Sequence, residues 1–165
     1  MSLSRRLRHL FTASRSVRRV FPAAALARIE QAIAGTERLH AGQVCFAIEA
    51  ALDGDALWSG RLASERALEQ FGRLRVWDTE HNNGVLIYLL WADRDVQIVA
   101  DRGIHAKVGT EGWESVCRQM EAAFRDGRFE AGALAGIEAV GALLASHYPA
   151  DGSRPNELPD RPVIL

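Results

Sequence analysis

Residues Val76 to Ile104 read VWDTEHNNGVLIYLLWADRDVQIVADRGI, and the fold turns on how this stretch is parsed. Its centre, Val85 to Trp91, is a continuous apolar run rich in β-formers and far too short for a membrane span. A run of that length and composition is expected to be a strand buried on both faces. A second apolar run, Val96 to Ala100, follows after only Ala92-Asp93-Arg94-Asp95. A four-residue polar gap between strand-like runs predicts an antiparallel hairpin. Pairing Trp91 with Val96 sets Leu86 opposite Asp101 and Gly84 opposite Gly103. Asp101-Arg102-Gly103 then returns beside the loop Asp78-Thr79-Glu80-His81-Asn82-Asn83, so polar groups from two distant segments meet at one end of the sheet.

Upstream, Val44 to Glu49 (VCFAIE) is also strand-like, and Ser59 to Leu74 has helical spacing. In that helix Leu68, Phe71 and Leu74 are expected to point inward, with Arg61, Glu65, Arg66, Glu69 and Arg73 outward. Strand, helix and buried strand make a right-handed βαβ unit with parallel strands. Glu49 then ends at the sheet edge opposite Asp101 and stays outside the site. Pro22 suits the start of a helix running through Leu26, Ile29 and Ile33 towards His40, and Gly42 ends it. Asp53 and Asp55 resemble the opening of a calcium loop, but Leu57 and Ser59 follow and no glutamate closes it, so an acidic surface turn is expected.

Downstream, Thr110 can cap a helix with Glu111 and Glu114 in its first turn and Trp113, Val116, Cys117, Met120 and Phe124 on one face. Gly127 suits its C-terminal end. Ala131 to His147 is apolar nearly all round but contains Glu138 and falls short of a membrane span, so a buried helix is expected, with Gly132, Gly136 and Gly141 allowing close approach. Three units result: a basic arm over 1–20, an α/β domain over 21–148 and a Pro-rich tail over 149–165 whose apolar end, Val163-Ile164-Leu165, is expected to dock.

The 165 residues fit a single domain with tails, and the net charge of −1 argues against a general nucleic-acid or membrane-surface binder. The average conceals an asymmetry. The first forty residues carry eight arginines (5, 6, 8, 15, 18, 19, 28 and 38) against Glu30 and Glu37. The arm reads as solvated and partly helical, with peripheral contact to phosphate or anionic lipid as the alternative. The two cysteines, Cys45 and Cys117, are too few for a disulfide framework and read as small core residues. With no secretory h-region at the N-terminus, a cytoplasmic location is the default.

No GxSxG, GxxxxGK[ST], GxGxxG or HExxH pattern is present, and His9, His40, His81, His105 and His147 lack zinc-ligand spacing. The strongest constellation is hard-oxygen: Asp78, Glu80, Asn82, Asn83 and Asp101 at one sheet end. Carboxylate and amide oxygens suit Ca²⁺ or Mg²⁺, bound weakly because only three of the five groups are charged. A plain turn with Asp78 as a cap is the competing reading. No nucleophile or general base stands out, so the catalytic residues stay unassigned.

The blocks NNGVLIYLL, VQIVADRGI and W-x-x-V-x-x-x-M-x-x-x-F-R-D-G-x-F-x-x-G, the last from Trp113 to Gly132, resemble the TPM domain family over Gln43 to His147. That group includes a plant thylakoid-lumen acid phosphatase-like protein, a photosystem II repair protein and a receptor modulator. The resemblance implies a three-layer α/β/α sandwich with a central mixed sheet, divalent-metal binding and, by analogy with the plant members, phosphatase activity. Many members have Asp-Asn-Gly where this chain has Asn82-Asn83-Gly84. Many also have Gly-x-Gly-Leu-Glu where it has Asp101-Arg102-Gly103-Ile104-His105. One carboxylate is thus replaced by an amide, and Asp101 is expected to supply the missing charge. Many relatives are secreted or membrane-anchored, whereas this chain resembles a soluble subgroup with a longer N-terminal helix and a Trp-Asp-Thr-Glu loop. The functional expectation is a non-catalytic or divalent-metal-binding module in protein maintenance or envelope-associated complexes, working with a protein partner and not with nucleic acid. A weak metal-dependent phosphomonoesterase is the alternative.

Overall fold

The computed structural model describes residues 3–150, 152 and 156–165. The helices are α1 (Leu3–Phe11), α2 (Ser14–Val20), α3 (Ala23–Glu37), α4 (Gly54–Trp58), α5 (Ala63–Arg73), α6 (Arg102–Arg125) and α7 (Phe129–His147). The strands are β1 (Gln43–Glu49), β2 (Gly84–Leu90), β3 (Asp95–Ala100) and the short β4 (Val163–Ile164). The four strands form one open mixed sheet in the order β3-β2-β1-β4. β1 runs parallel to β2 and to β4, and β3 is antiparallel to β2.

β1 and β2 are buried along their whole length. Alternation along them feeds two cores. Val44, Phe46, Ile48, Val85, Ile87 and Leu89 pack with α3, α6 and α7, while Cys45, Ala47, Leu86, Tyr88 and Leu90 pack with α4 and α5. Helices therefore cover both sheet faces, in the expected three-layer sandwich. α7 lies against both α3 and α6, and it is the one described helix apolar and long enough by composition to cross a membrane. Its glycines admit close neighbours: a Cβ on Gly136 would meet Met120, and one on Gly141 would meet Thr36. The C-terminal Val163 and Ile164 dock beside Ala47 and Ile48.

Several expectations need correction. The hairpin forms, but Leu86 pairs with Val99, not Asp101, because Trp91 leaves the strand and the turn is Trp91 to Arg94. Trp91 instead packs edge-on against Phe129, with ring centroids 4.9 Å apart, and against Phe21 at 6.4 Å. The slip is an even number of residues, so every side chain keeps its expected face. The segment read as one helix from Ser59 to Leu74 breaks before α5, with the separate α4 ahead of it. Asp53 and Asp55 belong to α4, where Asp53 accepts a hydrogen bond from the Ala56 N–H at 2.9 Å as the N-cap.

On α5, Leu68 is 63% exposed and Arg66 is buried, the reverse of the expected orientation. Arg66 turns inward because a buried carboxylate awaits it. α6 begins at Arg102, eight residues before Thr110, and is bent at Gly109, whose φ of 74° lies outside helical space. α3 ends at Glu37, short of His40.

Candidate functional site

The expected cluster lies where β1 and β2 begin and β3 ends. The loop between α5 and β2 approaches this end through Gly84 and Gly103. A Cβ on Gly84 would sit 2.0 Å from the Val76 carbonyl oxygen, and one on Gly103 would sit 2.5 Å from the Asn82 carbonyl oxygen and 2.8 Å from the Tyr148 hydroxyl. Only glycine permits those approaches. The loop is then tied to the start of α6, with Ile104 N–H donating to Asn82 O at 3.2 Å and Asp101 N–H donating to Gly84 O at 2.8 Å.

Of the five predicted residues, Asn82, Asn83 and Asp101 are brought together by these contacts. Asn83 is fully buried. Its Nδ2 donates to Ala41 O at 2.9 Å and its backbone N–H to Thr79 Oγ1 at 3.1 Å. Asp101 is the N-cap of α6, with Oδ1 accepting from Arg102 N–H at 2.7 Å. Asn82 is exposed and takes the left-handed conformation (φ 51°), which asparagine tolerates better than most residues. Asp78 and Glu80 lie on the exposed loop beyond this knot. The Glu80 N–H donates to Glu157 Oε2 at 3.0 Å, so the C-terminal segment also reaches this end.

Two acceptor atoms here have capacity to spare. Asn83 Oδ1 and Asp101 Oδ2 are buried and have no hydrogen-bond partner. His40, not expected at the site, lies on an adjoining segment. Its Nδ1 is 3.1 Å from Gly42 O, its Nε2 is buried without a partner, and burial lowers its pKa. The neighbouring Ala41 holds that segment in place, donating to Tyr148 O at 2.8 Å. A lone histidine at a helix end carries no spacing signal, so sequence had no means of selecting it. Glu37 lies nearby. Its Oε1 accepts from Val44 N–H at 2.9 Å, and burial chiefly, with Asp160 adding repulsion, pushes its pKa up to about 8. Among the described residues no three His, Cys, Asp or Glu side chains gather closely enough to hold a metal ion.

The opposite sheet end holds the buried partner of Arg66. Its Nε lies 2.9 Å from Glu49 Oε2 and its terminal NH2 lies 2.8 Å from Glu49 Oε1, while the Tyr88 hydroxyl donates to Glu49 Oε2 at 2.7 Å. Burial and the Glu49 carboxylate push the Tyr88 phenol pKa upward, and the hydrogen bond to Glu49 does the same for Arg66. Glu49 thus stays outside the candidate site, as the parallel strand order required.

The TPM domain family model matches residues 17–143. The chain belongs to the TPM domain family. The TPM fold is seen again in the NMR structure of the BA42 protein from the psychrophilic bacterium Bizionia argentinensis, which is 28% identical. The match has a TM-score of 0.75 and covers 87% of this chain and 94% of that one. The solution NMR structure of the N-terminal domain of a protein from P. gingivalis shares the fold at 19% identity and a TM-score of 0.62, over 79% of this chain and 82% of that one. No curated protein matches.

Proposed function

We propose that this TPM domain is a non-catalytic binding module of protein maintenance that carries a weak divalent-cation site at the Asn83–Asp101 end of the sheet. The observation that supports it is the pair of buried acceptor oxygens, Asn83 Oδ1 and Asp101 Oδ2, left without donors. Buried acceptors without partners are uncommon and call for water or a cation. An all-oxygen set suits Ca²⁺ better than a transition metal, and a loop-built site suits Ca²⁺ better than Mg²⁺, which demands near-octahedral geometry. Asp101 and Asn83 would be the inner ligands, with Asp78 and Glu80 available from the exposed loop. The bound ion would tie the loop to the start of α6. With so little charge, a Kd of about 10⁻⁴–10⁻³ M is expected.

Binding is favoured over hydrolysis because both groups with spare capacity already have structural duties. Asp101 caps α6 and Asn83 holds Ala41. Asn83, an amide, can serve as neither nucleophile nor base, and Asp101 has one oxygen committed to the cap, which leaves Oδ2 as a ligand atom. The test is a Ca²⁺ titration followed through backbone amide shifts, run beside a phosphomonoester turnover assay with Ca²⁺, Mg²⁺ and Mn²⁺. Shifts confined to residues 78–84 and 101–105 without turnover support the binder. Turnover that Asp101→Asn abolishes would replace it with the metal-dependent phosphomonoesterase.

A further inference from the structure

Helix α1 is mounted inside out. Its polar face is the one fixed to the domain. His9 is buried, its Nδ1 accepting from Leu52 N–H at 3.0 Å and its Nε2 lying 3.1 Å from Asp93 Oδ2. Arg5 Nε donates to the same Asp93 oxygen at 2.8 Å, and the other end of its guanidinium donates to Arg61 O at 3.3 Å. The apolar residues, at helical spacing on the opposite side, face solvent: Leu3 is 72% exposed, Leu7 46%, Leu10 63% and Phe11 85%. A helix held by its charges has no internal use for such a stripe, and an exposed apolar stripe with a charged margin marks an interaction surface. The surface continues onto α4, where Trp58 is 62% exposed and the Arg6 guanidinium lies 4.7 Å from its ring centre.

The surrounding charge identifies the occupant. Arg6 and Arg8 flank the stripe on the helical wheel, and Arg15, Arg18 and Arg19 are exposed on α2. An apolar stripe edged by arginines, with a tryptophan at its border, matches the headgroup layer of an anionic bilayer. A second copy of the chain would instead set the same arginines against each other. We propose that α1, with Trp58, is an interfacial docking surface that seats the domain reversibly on anionic lipid. This is independent of the cation site.

The experiment is cosedimentation of the full chain with phosphatidylcholine vesicles, with and without phosphatidylglycerol, at low and high salt. Sedimentation is expected only with the anionic vesicles and should fall as salt rises. Leu7→Glu with Leu10→Glu should weaken partitioning at least about tenfold, because both side chains would have to enter the interface as charges. Arg8→Gln should weaken it about fivefold. Leu7 and Leu10 face solvent, and Arg8, itself exposed, also lies 3.8 Å from Asp93 Oδ1. An unchanged thermal melt is therefore required of both variants to establish that the fold and the seating of α1 are intact. Vesicles should also shift tryptophan emission to the blue, and Trp58→Phe should remove most of that shift. Three results would overturn the proposal: no sedimentation of wild type on anionic vesicles at low salt, equal binding by the double variant, or wild-type dimerisation abolished by that variant, which would make a second copy the occupant.

Discussion

The two ends of the sheet are built on opposite principles. Where β1 and β2 finish, Glu49 is engaged by both Arg66 and Tyr88, and α1 covers the neighbouring loops through Arg5 and His9 on Asp93. Where the same strands begin, Asn83, Asp101 and His40 each keep a buried polar atom without a partner. Open α/β sheets ordinarily bind ligands outside the carboxyl ends of their parallel strands. Here Glu49 is paired on both oxygens at that end, and the atoms there without a hydrogen bond, His9 Nε2 and Asp93 Oδ1, belong to a charged cluster that includes Arg5. At the other end Asn83 Oδ1 and Asp101 Oδ2 face no such cation among the described residues. The closed end should therefore answer to mutation through stability and the open end through ligand response.

The largest effect is expected at the closed end. Arg66→Met leaves Glu49 buried without its cation, and breaking a buried pair from one side typically costs about 3–5 kcal/mol. Urea denaturation should show this as a lower midpoint at unchanged slope. Replacing Glu49 as well, in Arg66→Met with Glu49→Leu, should restore much of the loss, since no charge is then stranded. An Arg66→Met protein within about 1 kcal/mol of wild type would mean that the pair does not hold this end together.

The second effect is electrostatic and comes from the open end. Glu37 is pushed from 4.5 up to about 8, mainly by burial. Between those values the folded state keeps a proton that the unfolded state releases. The stability that this proton provides is full below the unfolded pKa and is lost as pH rises towards 8. The expected loss between pH 5 and 8 is on the order of 2 kcal/mol, below the full linkage because Glu37 is only partly buried. Melting temperatures across that window should decline in wild type and flatten in Glu37→Gln. An equally steep decline in the variant would assign the slope to other groups.

Asp101→Ala should be milder for stability, about 1 kcal/mol, the usual worth of an N-cap. Its larger effect should be on the ion: the amide shifts that Ca²⁺ produces around residues 78–84 should disappear. A retained Ca²⁺ response would remove Asp101 from the site while leaving its capping role in place.

What the sequence disclosed followed from what alternation can encode. The apolar run before Trp91 and the shorter one from Val96 read as paired strands, the first buried on both faces as found and the second only half-buried, and the faces of Leu86 and Ile87 followed from their order. Their exact register did not, because it depends on Trp91 leaving the strand to meet Phe129 and Phe21. Arg66 was misplaced because a charged residue on a helix reads as solvent-facing until its buried partner is known. The arm containing α1 reads from its sequence only as solvated and partly helical, because spacing as weakly periodic as that of Leu7, Leu10 and Phe11 does not say which side of a helix meets the protein. Asp101 and Asn83 could be placed at one end by chain geometry alone. His40 could not, since its arrival there depends on how α3 ends.

Asn82 tests the open end most delicately. Its left-handed backbone and exposed side chain mean that identity at this position is constrained by conformation more than by packing. Asn82→Gly should be neutral or stabilising by a few tenths of a kcal/mol, whereas Asn82→Ala should cost about 1 kcal/mol because alanine resists positive φ. Asn82→Asp tolerates the same backbone and adds a carboxylate on the loop tied to Asp101. Affinity in loop-built calcium sites rises with ligand charge, so Ca²⁺ should bind about tenfold more tightly than in wild type, with stability in ion-free buffer changed by less than about 0.5 kcal/mol. That combination, a small stability change with a large ligand effect, is the opposite of the pattern expected for Arg66. If millimolar Ca²⁺ leaves residues 78–84 and 101–105 unmoved in both wild type and Asn82→Asp, the open end is a turn and nothing more.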